Sequence, residues 1–113
     1  MELRDEKILF VILDDLKDIE DALEKFQCNT LDEFLDSRLL QKCVVMSLIN
    51  ISESINALSE EFILENKSVN WKQFKKIRNI AAHKYGAINF VVVWNMLTKN
   101  LTIFNSELKK LLK

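Results

Sequence analysis

The absence of proline from a chain of 113 residues that has a single glycine is the feature that most restricts its fold. Sheets need many turns, and turns depend on these two residues for their backbone angles. Leu, Ile, Glu, Lys and Asp dominate instead, and this composition favours long helices. We therefore expect an all-α protein, an antiparallel bundle of about four long helices plus one short helix, with residues 1–113 in a single domain.

Apolar residues that recur at spacings of three and four predict the positions of the long helices. The first helix covers residues 5–26, and the second runs from residue 40 to about residue 63. A third passes through most of residues 75–86. The last begins after Asn89 and continues to the C-terminal end of the chain without a break in its apolar pattern.

Several short signals predict where these helices begin and end. Thr30 with Glu33, and Asn70 with Gln73, have the spacing of a capping box. Gly86 follows the third helix, where a left-handed residue is expected to stop it.

Two further features bear on where the protein resides. The apolar run 8–13 is far shorter than the roughly 20 residues that a membrane span needs. Cys28 and Cys43 lack the CxxC spacing of a metal or redox site, so we expect two reduced thiols without a function. These observations favour a soluble cytoplasmic protein.

Residues 75–86 gather the only histidine, tyrosine and glycine of the chain within four positions of one another. On a helix, Arg78 and Tyr85 lie on nearly one line, and Asn79 and His83 form a second line beside it. Two alanines between Arg78 and Tyr85 keep the surface low, which suits close approach of a ligand. A lone histidine is more often structural than catalytic, so the spacing by itself leaves both interpretations open.

The net charge of −1 conceals a strong asymmetry along the chain. Residues 1–65 carry a charge of −10, whereas residues 66–106 carry +7 and contain no acidic residue. A local field of this sign would draw a phosphodiester toward His83; the alternative is a merely solvated helix face. The basic residues of this block are Lys67, Lys72, Lys75, Lys76, Arg78, Lys84 and Lys99.

Arg78, His83 and Tyr85 together form the pattern R-x4-H-x-Y, which resembles the signature of the HEPN superfamily in its HepT-like ribonuclease toxin branch. The similarity extends over roughly residues 3–112. One departure is Asn89, where that branch usually has an aspartate, and asparagine caps a helix about as well. Further segments that resemble the branch are Ile51–Ser54, Asn70–Lys72 and Val93–Trp94.

The resemblance implies an endoribonuclease, and the residue types present fit cleavage of RNA without a metal or cofactor. Imidazole, with a reference pKa of about 6.5, suits His83 as the base that deprotonates the 2′-hydroxyl. Arg78 would stabilise charge on the phosphorane, while Asn79 would orient the imidazole or bind phosphate. Glu53 is a supporting candidate that either pairs with Arg78 or orients His83. The RNA-binding candidates are Lys72, Lys75, Lys76 and Lys84.

The resemblance also implies partners. One imidazole cannot easily serve as base and leaving-group acid together, so we expect a two-fold homodimer with a composite site. HepT-like toxins of type II or type VII-like pairs are controlled by a minimal nucleotidyltransferase antitoxin that adenylylates the tyrosine matching Tyr85; this phenol could instead only pack the helix end. The alternatives are a non-catalytic helical module that binds a nucleotide or a nucleotidyltransferase, and a plain helical adaptor.

Overall fold

Helices form every regular element in the part of the chain that the computed structural model describes, namely residues 1–77 and 85–113, with Tyr85 described by its backbone alone. The all-α prediction is therefore confirmed. The α-helices are α1 (Leu3–Lys25), α2 (Leu31–Leu35), α3 (Arg38–Ala57), α4 (Glu60–Glu65), α5 (Phe90–Asn95) and α6 (Leu101–Leu111). Two 3-10 turns, Trp71–Phe74 and Tyr85–Ala87, and one π-helical turn, Met96–Asn100, complete the described elements.

Helices α1 and α3 pack side by side and form the centre of the core. The two helices are antiparallel. Asp5, near the start of α1, is hydrogen-bonded to Ser59, just after the end of α3, and the side chains of Asp15 and Asn50 are hydrogen-bonded midway along the two helices. The spacing of three and four puts the apolar residues of each helix on the shared face. The buried apolar residues of α1 are Leu9, Ile12, Leu16 and Ile19, and those of α3 include Leu40, Val44, Leu48 and Ile51.

Helix α1 ends in a hydrogen-bonded turn that normally uses glycine. The N–H of Cys28 donates to the carbonyl of Leu23 at 2.9 Å, and the N–H of Gln27 donates to that of Glu24 at 3.0 Å. This pair of bonds is a Schellman motif, whose first residue after the cap lies in the left-handed region. Gln27 occupies that position with a φ of 51°.

The predicted cap at Thr30 is confirmed. Its Oγ1 accepts from the Glu33 N–H at 3.2 Å, while the Glu33 carboxylate accepts from the Thr30 hydroxyl at 3.1 Å and from the Asn29 N–H at 3.0 Å. These bonds to the charged form hold the pKa of Glu33 below its usual value, the bond from Asn29 most of all. The cap at Asn89 is also confirmed, since its Oδ1 accepts from Val91 and Val92 at 3.0 and 3.3 Å.

Two predicted signals for helix ends differ in the structure, although the turn before the motif does begin at Trp71, directly after Asn70, as predicted. The Asn70 side chain makes no capping hydrogen bond. Instead, the Gln73 side-chain amide nitrogen donates to the Asn70 carbonyl at 2.8 Å, so a residue inside the turn stabilises its start. Gly86 is not left-handed. It lies inside the 3-10 turn Tyr85–Ala87, and such turns use right-handed backbone angles that any residue can adopt.

The prediction of one continuous helix from residue 40 to residue 63 is also wrong, because the helix is interrupted at Leu58. This residue is extended, with φ −65° and ψ 147°, and its side chain is buried. Ser59 then begins α4 by accepting from the Phe62 N–H at 3.2 Å. The break is stabilised from outside the segment, since Ser59 also bonds to the carboxylate of Asp5.

The last predicted helix is present but not uniform. The π-helical turn Met96–Asn100 separates α5 from α6, although the apolar spacing through this region predicted one regular helix. Helix α2 packs against its start, where the Phe34 ring meets Phe90 and Trp94 with centroids 6.1 and 5.4 Å apart.

The two cysteines are free thiols, Cys28 buried and Cys43 exposed, and burial raises the pKa of Cys28. Among the described helices, none combines the length and the apolar character that a membrane span requires.

Candidate functional site

Four of the predicted site residues, Arg78, Asn79, His83 and Lys84, lie outside the described residues. Tyr85 is described only by its backbone, at the first position of a 3-10 turn. Their roles remain predictions. The structure instead describes the chain that leads into this motif and the chain that leaves it.

The segment that leads into the motif is anchored by two buried aromatic residues. Trp71 begins the 3-10 turn and donates from its indole N–H to the Asn66 carbonyl at 3.0 Å. Phe74 ends the turn and is 1% exposed. Both rings contact Phe104 of α6, with centroids 5.8 and 4.8 Å apart. The chain then continues as helix through the buried Ile77, so Arg78 follows directly from a packed residue.

Lysines alternate with these anchors along the same segment. Because Trp71, Phe74 and Ile77 recur every three residues and face the core, Lys72, Lys75 and Lys76 are left exposed. Lys67 before the turn and Lys99 on the π-helical turn are exposed as well. The structure therefore places the described lysines of the basic block on the surface, where a solvated anion has access to them.

Glu53 lies on an exposed position of α3. The residue before it, Ser52, is buried and lines a cavity of about 680 Å³ together with Trp71, Phe74 and Lys75. This stretch of α3 thus packs against the segment that leads into the motif. The position is compatible with a supporting role for Glu53, and that role remains a prediction.

A second cavity, of about 420 Å³, lies between the two chain segments that flank the motif. Ile77 on one wall directly precedes Arg78, and Ala87 on the other side lies two residues after Tyr85. We call this space the flanking pocket. Its lining residues are Gln73, Lys76, Ile77, Ala87, Ile88, Asn89, Val92, Val93, Asn95, Met96, Lys99 and Asn100.

The sequence interpretation did not identify this pocket, because its residues come from two separate segments on either side of the motif and most were assigned to helix faces. One signal was available. The outer positions of the last helix carry Asn95, Lys99 and Asn100 without any carboxylate among them, which is unusual in a chain that is otherwise rich in acidic residues.

Comparison with known proteins agrees with the resemblance carried by the motif. The family model described as Ribonuclease HepT-like matches residues 5–111. A Methanocaldococcus jannaschii protein named "Putative RNase MJ0127" is 32% identical over 105 residues, which is 93% of this chain and 84% of that protein. "Probable ribonuclease HepT" of Thermococcus cleftensis is 23% identical over 104 residues, 88% of this chain and 94% of that protein.

A further relative from Methanocaldococcus jannaschii, named "Putative RNase MJ1380", is 26% identical over 110 residues and aligns along 96% of this chain and 98% of its own length. No solved structure gives a significant match. The family match covers almost the whole chain, from the first turn of α1 to the end of α6. On this ground the chain belongs to the HepT-like ribonuclease family.

Proposed function

We propose that this HepT-like ribonuclease cleaves RNA within the strand and without a metal ion. His83 takes the proton of a 2′-hydroxyl, the oxygen attacks the adjacent phosphorus, and the bond to the 5′-oxygen breaks as that oxygen gains a proton. The products end in a 2′,3′-cyclic phosphate and a 5′-hydroxyl. Arg78 stabilises the charge on the phosphorane, and Asn79 orients the imidazole or holds a phosphate oxygen.

The observation that carries this proposal is the set of exposed lysines on the chain segments that flank the motif. Lys72, Lys75 and Lys76 lie on the segment that leads into Arg78, and Lys76 and Lys99 both line the flanking pocket. With Lys84 they form the RNA-binding set. A polyanion that meets these lysines releases counterions, so its binding weakens as salt rises.

The acidic half of the chain supports the same interpretation. The outer face of α1 carries Asp14, Asp18 and Glu24 at exposed positions. A phosphate backbone is repelled there and attracted to the opposite sign around the motif, which favours one orientation of approach. Glu53 lies on α3, outside the acid-free block, and would act on Arg78 or on the imidazole rather than on RNA directly.

The active form in this proposal is a two-fold homodimer. One imidazole cannot hold and release protons on both sides of the phosphorus at the same moment, whereas a two-fold axis near the motif brings a second His83 and a second Arg78 into one cleft. Each chain then supplies half of the chemistry.

We further propose that the protein is the cytoplasmic toxin of a type II or type VII-like toxin-antitoxin pair. Its partner would be a minimal nucleotidyltransferase that transfers adenylyl groups to the phenol oxygen of Tyr85, releasing pyrophosphate from ATP. Each group adds a phosphodiester anion beside Arg78 and Lys84. It would occupy the place of the RNA phosphate and neutralise the positive field.

The test is incubation of the purified protein with a labelled RNA in the presence of a chelator, followed by analysis of the new ends. Cleavage to 2′,3′-cyclic phosphate is expected, and a strand with 2′-deoxy residues throughout should remain intact. Cleavage of the deoxy strand would contradict attack by the 2′-hydroxyl. Binding of both strands without cleavage would support the alternative, a non-catalytic nucleotide-binding module.

A further inference from the structure

The flanking pocket combines three kinds of surface that are seldom found together. Its floor is apolar, formed by Ile77, Val93 and Met96, each of which is less than 10% exposed. Its rim carries the side chains of Asn89, Asn95 and Asn100 and the ammonium groups of Lys76 and Lys99. None of its described lining residues is acidic. A ligand that fits this lining is flat and apolar on its faces, polar at its edges and negatively charged at one end.

One polar atom in the wall lacks a partner. The Gln73 side chain donates to the Asn70 carbonyl at 2.8 Å, and since a carbonyl can only accept, the nitrogen of the amide must face Asn70. Its Oε1 is buried and accepts no hydrogen bond among the described residues. A buried acceptor left without a donor is costly, so rotation of the Gln73 side chain toward the N–H of a ligand in the pocket would be favourable.

The lining also includes the π-helical turn, which contributes Met96, Lys99 and Asn100. Turns of this kind occur frequently at functional sites within otherwise regular helices. The volume of about 420 Å³ falls in the range of small-molecule sites rather than of extended protein grooves.

We propose that the flanking pocket binds one unpaired nucleobase of the RNA, next to the phosphate that is cleaved. The base lies against Ile77 and Met96, its amino or imino N–H groups reach Gln73 Oε1, and Lys76 and Lys99 bind the phosphates on either side of it. This inference rests on the proposed function. It adds that the substrate is single-stranded at the site of cleavage, since a paired base cannot enter a pocket of this kind.

The position of the pocket relative to the motif makes this assignment specific. Ile77 lines the pocket and directly precedes Arg78 in the chain, and Ala87 follows Tyr85 by two residues on the other side of the motif. We therefore assign the bound base to the nucleotide next to the phosphate on which Arg78 acts in the proposed function. A protein ligand would gain nothing from the two lysines unless it were acidic.

The first experiment measures binding of a 2′-deoxy single strand, which cannot be cleaved, by fluorescence anisotropy. Val92 lines the pocket and is 55% exposed, so Val92→Asp puts a carboxylate at its mouth without disturbing the core. Ile103 is 62% exposed on α6, away from the pocket lining, so Ile103→Asp is a matched control with the same change in charge. We expect Val92→Asp to weaken binding about tenfold, because the base loses apolar contact and the new carboxylate repels the phosphates, and Ile103→Asp to change it less than twofold.

The second experiment asks whether the lost contact is a base contact. Strands with one abasic residue, placed at successive positions, are compared with the intact strand. At one position the wild-type protein should lose about tenfold in affinity, while Val92→Asp should lose nothing further at that position. Equal binding by Val92→Asp and wild type, or two losses that multiply, would overturn the proposal.

The two proposals fail in different ways. If the all-ribose strand is cut by Val92→Asp at the wild-type rate and affinity, the base pocket is excluded while the ribonuclease proposal stands. If the deoxy strand binds as expected but the all-ribose strand stays intact under every condition, RNA cleavage by this chain is excluded and the pocket remains a nucleobase site. Equal affinity for single-stranded and fully paired RNA would also overturn the pocket.

Discussion

The carboxylate of Asp5 accepts two hydrogen bonds from Ser59, one from the backbone N–H at 2.9 Å and one from Oγ at 2.7 Å. Asp5 is 2% exposed and lies 54 positions away from Ser59 in the chain. These two hydrogen bonds join the first turn of α1 to Ser59, the residue directly before α4. The same bonds, led by the one from the Ser59 N–H, hold the pKa of Asp5 below its usual value.

Replacing Asp5 by asparagine should lower the free energy of unfolding by about 2 kcal/mol, because the amide nitrogen cannot accept and one donor of Ser59 is left buried without a partner. Urea denaturation followed by circular dichroism measures this. Asp14→Asn, on the exposed face of the same helix, is the control and should change stability by less than about 0.5 kcal/mol.

The stability lost in Asp5→Asn should depend on pH. Because the folded pKa of Asp5 lies below the unfolded value of about 3.9, its contribution is fully present above that value and disappears as the pH falls through the folded pKa. The difference between wild type and Asp5→Asn should thus be constant from pH 7 to about 5 and shrink in more acidic solution. A difference that does not change between pH 7 and pH 3 would contradict the assignment.

Gln27→Gly should stabilise the protein by about 1 kcal/mol, because a left-handed backbone strains any side chain with a β-carbon and leaves glycine unstrained. The gain would be measured as an upward shift of the urea midpoint with an unchanged slope. Lys25→Gly is the contrasting variant: the same residue type introduced two positions earlier, inside α1, should destabilise by a similar amount. Destabilisation by both variants would show that the turn at Gln27 differs from the one described.

Spacing rules predicted much of this fold and missed specific parts of it. The helical class, the first helix and the caps at Thr30 and Asn89 depend on local sequence, and these predictions are confirmed. The break at Leu58 could not be predicted locally, because the apolar spacing continues across it and the residue that stabilises it, Asp5, is at the other end of the chain. The left-handed turn at Gln27 was missed for a different reason, since glycine is the usual signal.

The candidate site likewise has features that the sequence predicts and features that it does not. The motif could be read directly from the sequence, and the exposure of Lys72, Lys75 and Lys76 follows from the period of their buried neighbours. The flanking pocket could not be predicted, because two segments about ten residues apart must first be brought together by the core. The π-helical turn in its wall has no sequence signal that distinguishes it from a regular helix.

His83→Ala should abolish RNA cleavage and growth inhibition while leaving the helical circular dichroism spectrum and the urea midpoint close to those of wild type. Arg78→Ala should reduce the rate about a hundredfold to a thousandfold, as expected for loss of one group that stabilises transition-state charge. Single-turnover rates on a labelled RNA measure both effects. Lys110→Ala, which removes an exposed charge from α6, should cleave at the wild-type rate. Full activity of either motif variant would place the chemistry elsewhere.

The proposed homodimer can be tested by mixing wild-type and variant chains. If both imidazoles of a two-fold cleft are needed, an equal mixture of wild type and His83→Ala that has exchanged subunits should retain about a quarter of wild-type activity, since only that fraction of dimers has two wild-type chains. Activity close to one half would mean that each chain works alone. Light scattering that gives a mass of 13.3 kDa for an active protein would equally exclude the dimer.

Adenylylation of Tyr85 predicts a change in intact mass. The chain is produced together with its genomic neighbour, where that neighbour is a nucleotidyltransferase. The mass of the chain should then rise by whole adenylyl units. RNA binding should weaken, because the added phosphates neutralise the positive charge of the basic residues. Tyr85→Phe should keep its unmodified mass and escape this control. An unmodified mass in a fully inhibited complex would show that the partner acts by covering the site.

The Phe104 ring has a consequence for selectivity. It contacts Trp71 and Phe74 and belongs to α6, so it joins the segment that leads into the motif to the last helix. Both of these elements line the flanking pocket, and we therefore expect the width of the pocket to depend on the bulk of a side chain that is not part of its lining. If the pocket binds a base as proposed, we expect a change of volume at this one core position to alter the preference between purines and pyrimidines, even when the lining residues stay the same.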